Sequence, residues 1–452
     1  MLHAPRLVDM NSPIQKLYQP SAVLSVLCVA CLLSQTHAAI IGTNTPAEPL
    51  TAERIATLPA KEQHAWSDYL QRSEQQMHAD QAEIHSEMRT QHVSESIQAP
   101  GSRGTRSIPL NRRAAWYGSD EARHTADIVI SFQTPAGGWS KNLDLSQHLR
   151  AAAEGFAPDN SSRWTNAPDN DAPHDIHWSY VGTFDNDATT TELHFLAKVA
   201  AANPKQSAPY RSAFLHGLDY IFAAQFPNGG WPQVWPLQGG YHDAITYNDG
   251  AMKDIMNLLR DVSEAKGDFS FAPRAIRKKA VASLQRGIDC ILATQVVVNG
   301  HRTAWAQQHD ALTLQPTAAR NYEMPSVSAA ESSGIVMFLM NIAKPSREVI
   351  AAVHAACAWF EKTKMTDFAY RFTGEQGRML VAAPGNGPLW PRYAEIGSDR
   401  PLFGDRDKSI HDTVDEISRE RRNGYAWFNN TAQQALDRYA TWKKIHPLAK
   451  PR

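Results

Sequence analysis

Two acidic residues, Asp185 and Asp187, flank an asparagine in the segment FDNDATTTEL (residues 184–193). This spacing suits a hard cation, because such ions take oxygen ligands, although the longer acidic loop of an EF-hand is missing. A helix-like pattern follows, so Asp187 or Thr189 could instead cap a helix, with Glu192 in its first turn. The spacing alone therefore predicts either a cation site or a helix cap.

A second segment, TYNDGAM (residues 246–252), places Asp249 before another helix-like pattern, where it is again either a cation ligand or a cap. The loop before it is rich in aromatic and amide side chains. Rings beside hydrogen-bonding groups are typical of a sugar-binding cleft, whereas core packing would explain some of the rings equally well. The side chains concerned are Trp231, Gln233, Trp235, Gln238, Tyr241 and His242.

Four arginines lie in Pro- and Gly-rich segments that we expect to be loops: Arg320, Arg392, Arg400 and Arg406. Guanidinium forks bind carboxylates bidentately, so such a group would suit an acidic substrate. Surface salt bridges are the alternative, and they are the commoner fate of a single arginine. The sequence contains no nucleophile elbow, zinc-protease motif, phosphate-binding loop or Cys/His metal spacing.

The composition is that of a globular protein. The chain has 452 residues, of which 42% are hydrophobic and 20% charged. The formal net charge of −1 gives no reason to expect a nucleic-acid partner. A local cluster of basic side chains would be needed to attract an acidic polymer.

Residues 1–39 have the pattern of a secretory signal peptide. Arg6 and Lys16 precede an apolar run at residues 22–33, and small residues follow. The run is too short to span a bilayer, and a buried helix is the alternative. We expect a monomer that is secreted or periplasmic, with no membrane contact. Its remaining cysteines, Cys290 and Cys357, could form a disulfide or stay as buried thiols.

The motif Q-x-x-x-G-G-W recurs at residues 133–139 and 225–231, and a degenerate copy begins at Gln295. Each copy ends a helix-periodic stretch, and its glycines suit the left-handed residue at a helix C-terminus. The repetition predicts an all-α fold of paired helices, an α/α toroid. The predicted helices are residues 122–132, 189–201, 210–224, 251–266, 276–294, 328–343, 346–364 and 425–444.

The chain divides into three parts on composition. After the signal segment, residues 40–110 predict an N-terminal helical extension and linker, and residues 111–446 predict the main domain. Long loops inside a domain are usually functional, so we expect them to form a substrate cleft. These loops are residues 155–186, 226–248, 296–327 and 383–424.

The sequence resembles the pectate lyases of polysaccharide lyase family 10 over roughly residues 110–440. The motifs that carry the resemblance are long and occur in order: QTPAGGWSKN at 133–142, FDNDATTTEL, residues 226–252, RNYEMP at 320–325, and residues 389–406. The resemblance implies an (α/α)3 toroid. It also implies calcium-dependent β-elimination of α-1,4-linked polygalacturonate, which yields 4,5-unsaturated oligogalacturonates.

The resemblance also implies residue roles. The family's calcium aspartates match Asp187 and Asp249, and its catalytic base, the arginine of an R-x-Y-E motif, matches Arg320. Gly250 stands where some relatives carry another acid. Substrate contacts are expected from Lys141, Trp231, Tyr247, Asn248, Tyr322, Arg392, Arg400 and Arg406.

The chemistry sets one requirement on the base. Arginine is normally protonated at any reachable pH, so a neutral Arg320 needs desolvation and neighbouring positive charge, with a high pH optimum. Two alternatives remain open. A toroidal glycoside hydrolase acting on an acidic polysaccharide would use Asp187 and Asp249 as acid and base. A carbohydrate-binding protein without catalysis would use the aromatic loops alone.

Overall fold

The computed structural model describes residues 40–101, 103–158 and 181–448. Within these residues the fold is mostly helical, as predicted, and all eight predicted helices are present. Seven of them agree with the prediction to within four residues at each end, whereas the last begins at Thr431 instead of residue 425, after the strand Phe428–Asn429. The helices α1 to α11 are, in chain order, Ala52–Ala56, Ala60–Thr90, Asp120–Ser131, Thr190–Ala202, Ala208–Ala224, Ala251–Ser263, Arg274–Thr294, Ala329–Leu339, Arg347–Thr363, Arg419–Gly424 and Thr431–Ile445.

The helices of the main domain occupy two kinds of environment. Helices α6 and α8 have no exposed residue, and α4 is exposed only at its last turn. Helices α5 and α7 instead show one buried and one exposed face, the pattern of a surface helix. Helix α4 contacts α6, and α6 contacts α8, while each of them also contacts the helix that follows it in the chain. Inner and outer helices therefore alternate along the sequence.

The repeated glutamine links one outer helix to the next. Gln133, at the end of α3, donates to the carbonyl of Ala213 in α5 at 2.9 Å. Gln225 donates likewise to Ser283 in α7 at 2.9 Å. Gln295 of the degenerate copy donates to Ala352 in α9 at 3.0 Å. The sequence repeat is therefore a structural repeat that ties consecutive outer helices together, and we call these side chains the glutamine latches.

The repeated tryptophan anchors the start of each cleft loop. The indole N–H of Trp139 donates to Val129 O, that of Trp231 to Ile221 O, and that of Trp305 to Ile291 O, at 2.7–2.9 Å. All three rings are essentially unexposed. The preceding glycine leaves room for a neighbouring side chain, since a Cβ on Gly138 would lie 2.6 Å from the Tyr220 ring.

A five-stranded antiparallel sheet, which was not predicted from the sequence, has the strand order Gly42–Thr43, Ser409–His411, Pro401–Gly404, Tyr393–Ala394 and Val327–Ser328. Its strands have two to four residues, too few for the alternating pattern that identifies a strand. The strands β1 to β15 are Gly42–Thr43, Gly182–Thr183, Val234–Trp235, Ile245–Thr246, Val297–Val298, His301–Arg302, Gln308–His309, Val327–Ser328, Phe368–Phe372, Arg378–Ala382, Trp390–Pro391, Tyr393–Ala394, Pro401–Gly404, Ser409–His411 and Phe428–Asn429.

The N-terminal extension packs on the main domain. In α2, Tyr69 donates from its hydroxyl to Ala224 O at 2.9 Å, at the end of α5. Glu87 accepts two hydrogen bonds from the guanidinium of Arg150. The described residues belong to one compact unit. The predicted signal segment, residues 1–39, lies outside the described residues.

Two further findings concern the described helices and the two cysteines. No helix among the described residues is both long and apolar enough to cross a membrane. Cys290 and Cys357 are free and buried, so of the two alternatives left open by the sequence the structure has the buried thiols.

Candidate active site

Two turns with unusual backbone conformations face each other at the N-termini of α4 and α6. In the first, Asn186, Asp187 and Thr189 have φ of 54°, 62° and 64°. In the second, Asp249 and Gly250 have φ of 49° and 79°. A positive φ is rare outside glycine, and for a β-branched residue such as Thr189 it is an outlier that the surroundings must enforce. Such conformations concentrate at functional sites.

The helix-cap alternative does not hold for either aspartate. Helix α4 begins after Thr189 and helix α6 after Gly250, and neither start has a side-chain cap. The hydroxyl of Thr189 bonds main-chain oxygens instead, donating to Thr183 O at 2.8 Å. Gly250 has a left-handed conformation, with φ of 79°, which favours glycine over an acid at this position. Neither Asp187 nor Asp249 therefore acts as a helix cap.

Asp185 and Asp249 form a close pair of carboxyl groups. Asp185 is 4% exposed, and Lys141 Nζ lies 2.6 Å from its Oδ2. Burial opposes its ionisation, but the Lys141 ammonium overcomes this effect and lowers the pKa of Asp185 to about 2. Desolvation in the cleft and the negative charge of Asp185 raise the pKa of Asp249 to about 7. Asp249 is thus the member of the pair that holds a proton near neutrality.

Asp187 is exposed and points toward different partners. It lies beside Asp254 in the first turn of α6, whose pKa rises to about 6 through burial, despite Lys253, and in part through Asp187. It also contributes to the raised pKa of the buried Glu192, about 8, for which burial is the main cause. The acid that interacts directly with Asp249 is therefore Asp185, while the calcium-binding role expected for Asp187 stays a prediction.

Arg320 is held by the glutamate of its own RNYE segment. Its Nε and Nη2 donate to the two oxygens of Glu323 at 2.9 and 2.6 Å. Burial would lower the pKa of Arg320, but Glu323 outweighs it and holds that pKa well above its ordinary value. In return, despite burial, Arg320 lowers the pKa of Glu323 to about 2. The Arg320 side chain remains 32% exposed to the cleft.

A chain of hydroxyls fixes Glu323 from behind. Tyr425 donates to Glu323 Oε1 at 2.6 Å, and its oxygen lies 2.6 Å from the hydroxyl of Tyr393. Tyr393 in turn donates to Gln307 Oε1. All four side chains are buried. The position of the Arg320 guanidinium is therefore set by a rigid network.

Arg392 joins this network to the carboxylate pair. Its Nη2 donates to Glu331 Oε1 at 2.8 Å and to Asn248 Oδ1 at 2.8 Å. Asn248 Nδ2 then donates to Asp249 Oδ2 at 2.9 Å. A cavity of about 420 Å³ opens beside these groups, lined in part by Asp249, Arg392 and Lys253. The site therefore combines acidic oxygens with fixed cations around one cleft.

The donor set fits a hard cation only in part. Asp185 Oδ1 is buried without a hydrogen-bond donor, and it faces a second carboxyl group whose charge it disfavours. A cation between the two would relieve both effects. No group of three or more Asp, Glu, His or Cys suited to a metal ion occurs among the described residues. Two protein carboxylates with further ligands from substrate and water remain compatible with calcium.

The other predicted substrate contacts lie in three settings. Trp231 and Tyr247 are at most 2% exposed and pack in the core, and Tyr247 also lines the cavity beside Asp249. Tyr322 is equally buried, with its ring under Arg320, Arg406 and Arg421. Arg400 is bound on the surface by Glu395 and Asp412. Of the two alternatives for the Trp231 ring, a sugar-binding surface or core packing, the structure shows core packing.

Several residues of the site were not singled out from the sequence. Glu323 lies within the quoted RNYEMP motif, so its residue type could have identified it, whereas Asp185 was noticed for its spacing from Asp187 but was not among the calcium ligands implied by the resemblance. Tyr393 lies in the quoted segment 389–406, Tyr425 at the start of the predicted helix 425–444 and Gln307 in a predicted loop, and none of the three was assigned a role. Their roles depend on loop packing over long sequence separations, which spacing does not reveal.

Comparison with solved structures relates this fold and site to known proteins. A family 10 polysaccharide lyase from Cellvibrio cellulosa matches with a TM-score of 0.61 and 29% identity, over 76% of this chain and 98% of that one. An aspartate-to-alanine mutant of that lyase, in complex with trigalacturonic acid, matches with the same values. A search of curated proteins found no match. The helical fold and the charged cleft thus define a polysaccharide lyase.

The family follows from the sequence comparison. The model of the pectic acid lyase family matches residues 133–436, about two thirds of the chain. The chain therefore belongs to the pectic acid lyase family and is an enzyme of that family. This confirms the resemblance on which the predicted activity was based.

Proposed function

We propose that the protein is a calcium-dependent pectate lyase that cleaves α-1,4-linked polygalacturonate by β-elimination. The observation that carries the proposal is the arrangement of the Asp185–Asp249 pair beside three fixed cations, Lys141, Arg320 and Arg392. A polymer with a carboxylate on every sugar needs positive charge at the reacting residue. The complex of the related lyase with trigalacturonic acid supports the same substrate class.

The reaction removes the proton on C5 of a galacturonosyl residue and breaks its C4–O4 bond. The electron pair of the C5–H bond forms the C4–C5 double bond, and O4 leaves with the glycosidic electron pair and takes up a proton. Negative charge develops on the C6 carboxylate in the transition state. Arg392 and Lys141 would stabilise this charge, because they are held in place before the substrate arrives.

Arg320 is the proton acceptor in this proposal. Glu323 favours its protonated form, so the neutral form is scarce in the free enzyme. Nearby Lys141 and Arg392 act in the opposite direction, since like charges disfavour protonation. The balance requires alkaline conditions, and the rate should rise with pH over the alkaline range.

Asp249 and Asp185 are the residues that would hold calcium, with Asp187 at the rim of the cleft. The bound ion would supply positive charge to the substrate carboxylate. Alanine substitution of each aspartate, followed by calcium titration in the presence of oligogalacturonate, shows which carboxylates hold the ion. We expect loss of calcium affinity for Asp249→Ala and Asp185→Ala, and a smaller loss for Asp187→Ala. A larger loss for Asp187→Ala would instead support Asp187 as the calcium ligand, as the resemblance implies.

The activity is tested with polygalacturonate at alkaline pH, with calcium and then with chelator. Elimination gives a product that absorbs ultraviolet light, and chelator should abolish it. Reducing ends without absorbance would instead support a glycoside hydrolase, and binding without turnover a carbohydrate-binding protein. Lack of a chelator effect would refute only the calcium dependence.

A matched pair of variants tests Arg320. Arg320→Ala should lower kcat at least about 100-fold while substrate binding remains, because a proton acceptor contributes on this scale. Arg150→Ala removes another bidentate Arg–Glu pair, with Glu87, on the N-terminal extension. It should reduce stability and leave kcat near the parent value. Equal kcat in both variants would remove Arg320 from the mechanism.

The architecture and location belong to the same proposal. The alternation of inner α4, α6 and α8 with outer α5, α7 and α9 supports an (α/α)3 toroid with the cleft at one end. The division at about residue 110 and a monomeric state remain part of the proposal. Export by a signal at residues 1–39 would place the enzyme in the periplasm or outside the cell. Amino-terminal sequencing of the secreted protein tests the export.

A further inference from the structure

A segment at residues 41–54, which we call the N-terminal strap, crosses the loop that carries Arg320. Its strand β1 pairs antiparallel with β14. Next to this pairing, Asn44 N donates to Lys408 O at 2.8 Å. Main-chain hydrogen bonds to the five-stranded sheet therefore fix the strap along its first residues.

The side chain of Asn44 bonds the peptide groups at the catalytic position itself. It is 3% exposed, and Nδ2 donates to Arg320 O at 3.0 Å and to Asn321 O at 2.9 Å. Two bonds from one rigid amide fix the orientation of two consecutive peptide planes. The direction in which the Arg320 side chain leaves the main chain follows from these planes, while Glu323 holds its far end.

The strap also holds the residues on either side. Ala47 packs against Tyr241 and Ala319, the residue before Arg320. Arg54 Nη2 lies 2.6 Å from Asp310 Oδ2, at the start of the same loop. Leu50 N donates to Asp243 Oδ2 at 3.3 Å in the neighbouring aromatic loop. The strap is thus in contact with two loops of the cleft, although it lies outside the family match at residues 133–436.

We propose that Asn44 is a positioning residue for Arg320 and that the N-terminal strap is a working part of the active site. The proposal rests on the role of Arg320 given above. Without the amide, the Arg320 loop keeps its fold but loses the fixed direction of the guanidinium. A displacement of the order of 1 Å in a reacting group reduces the chemical step by up to about 100-fold.

A matched asparagine elsewhere separates positioning from stability. Asn203 is also buried, and its Nδ2 donates to two carbonyl oxygens, Tyr117 O at 2.8 Å and Val199 O at 2.9 Å. It lies at the far end of α4, away from the cleft loops. Asn44→Ala and Asn203→Ala each remove two such donated bonds, and Asn203→Ala also removes the acceptor of a bond from Arg123 Nη1 at 2.9 Å. Both substitutions should lower the melting temperature by several degrees.

The test measures kcat and KM on polygalacturonate at a temperature where circular dichroism shows each variant folded. Asn44→Ala should lower kcat about tenfold or more, with KM within about threefold of the parent. Asn203→Ala should leave kcat near the parent value. Equal kcat in the two variants would overturn the proposal.

A truncated chain provides the second variant. A protein beginning at Thr45 lacks β1 and Asn44, and we expect a loss of kcat at least as large as that of Asn44→Ala, against a control that begins at Ile40. Full kcat in the folded truncation would refute a role for the strap. A parent enzyme that gives no unsaturated product would instead refute the proposed function, so the two failures are distinguishable.

Discussion

At the scale of single residues, the pairing of Arg320 with Glu323 sets the protonation and the position of the proposed base. A carboxylate that takes two donors from a guanidinium stabilises its charged form. The same pair also holds the guanidinium rigidly in the cleft. Glu323 therefore fixes the position of Arg320 but also makes the neutral, proton-accepting form of Arg320 scarce. The pH dependence of the rate should show this effect.

Replacing Glu323 by Gln tests this effect directly. The substitution keeps an acceptor oxygen but removes the negative charge that raises the pKa of Arg320. The midpoint of the rate increase with pH should therefore move to lower pH, although the maximal rate falls with the looser geometry. Tyr425→Phe is the control, because it leaves the charge in place and removes only the hydroxyl bonded to Glu323. An unchanged midpoint in Glu323→Gln would contradict Arg320 as the base.

The Asp185–Asp249 pair makes a prediction about stability without calcium. The folded-state pKa of Asp249 is raised to about 7, so between about pH 4 and pH 7 the unfolded chain ionises while the folded protein retains the proton. Stability is thereby lost as the pH rises through this window. In chelator, Asp249→Asn should melt a few degrees higher than the parent at pH 8 and close to it at pH 4.

The partner residue provides a control of opposite sign. The pKa of Asp185 is lowered to about 2, so its contribution to stability is present above about pH 4 and is lost as the pH falls toward 2. Asp185→Asn should therefore melt lower than the parent at pH 8. Equal shifts for the two variants would show that the pair is not polarised as the structure indicates.

How far the site was predictable depends on the distance between cooperating residues. The resemblance assigned substrate contact to Arg392 and the role of base to Arg320, and Arg392 lines the cavity beside Asp249. The resemblance also matched the calcium ligands to Asp187 and Asp249, and neither it nor the spacing indicated that Asp185 is the carboxylate beside Asp249. Asn44 could not have been found, since its partners are 276 and 277 positions away.

At the scale of elements, the glutamine latches explain why the sequence repeats. Gln225 has the most bonds: besides Gly229 O and Ser283 O it accepts from Ser283 Oγ and from Arg286. Gln133 makes the equivalent two donations but is more exposed. Each latch therefore adds buried hydrogen bonds to the connection between one helix repeat and the next.

We expect Gln225→Ala to reduce the free energy of unfolding by about 2 kcal/mol or more, because two buried carbonyl groups and a hydroxyl lose their partner. Gln133→Ala should cost less. Urea unfolding with equal m-values measures both changes. A larger cost for Gln133→Ala would show that burial does not set the strength of the latches.

The helices could be predicted and the sheet could not, for the same physical reason. Helices such as α7 span several turns, so their apolar period is legible in the sequence. The strands of the sheet are two to four residues long and pair across distant parts of the chain, as in β8 with β12. Which residues form these strands depends on the distant segments that pair with them, and a local sequence pattern contains no information about those segments.

At the scale of the whole molecule, stability does not depend on a covalent cross-link in the described residues. Cys290 and Cys357 are free, and burial raises the pKa of each thiol to about 12. Reductant should leave the melting temperature unchanged, and a thiol reagent should react with both residues only on unfolding. Rapid reaction of the native protein would show that the helices around them open readily.

The N-terminal strap has a consequence for the order of biosynthesis. Its residues leave the ribosome among the first of the described chain, yet their partners, the Arg320 loop and strand β14, are made near the end. Contacts of such large sequence separation form late, because the intervening chain must first become ordered. The active site of a nascent chain therefore stays incomplete until nearly all of the enzyme has been synthesised.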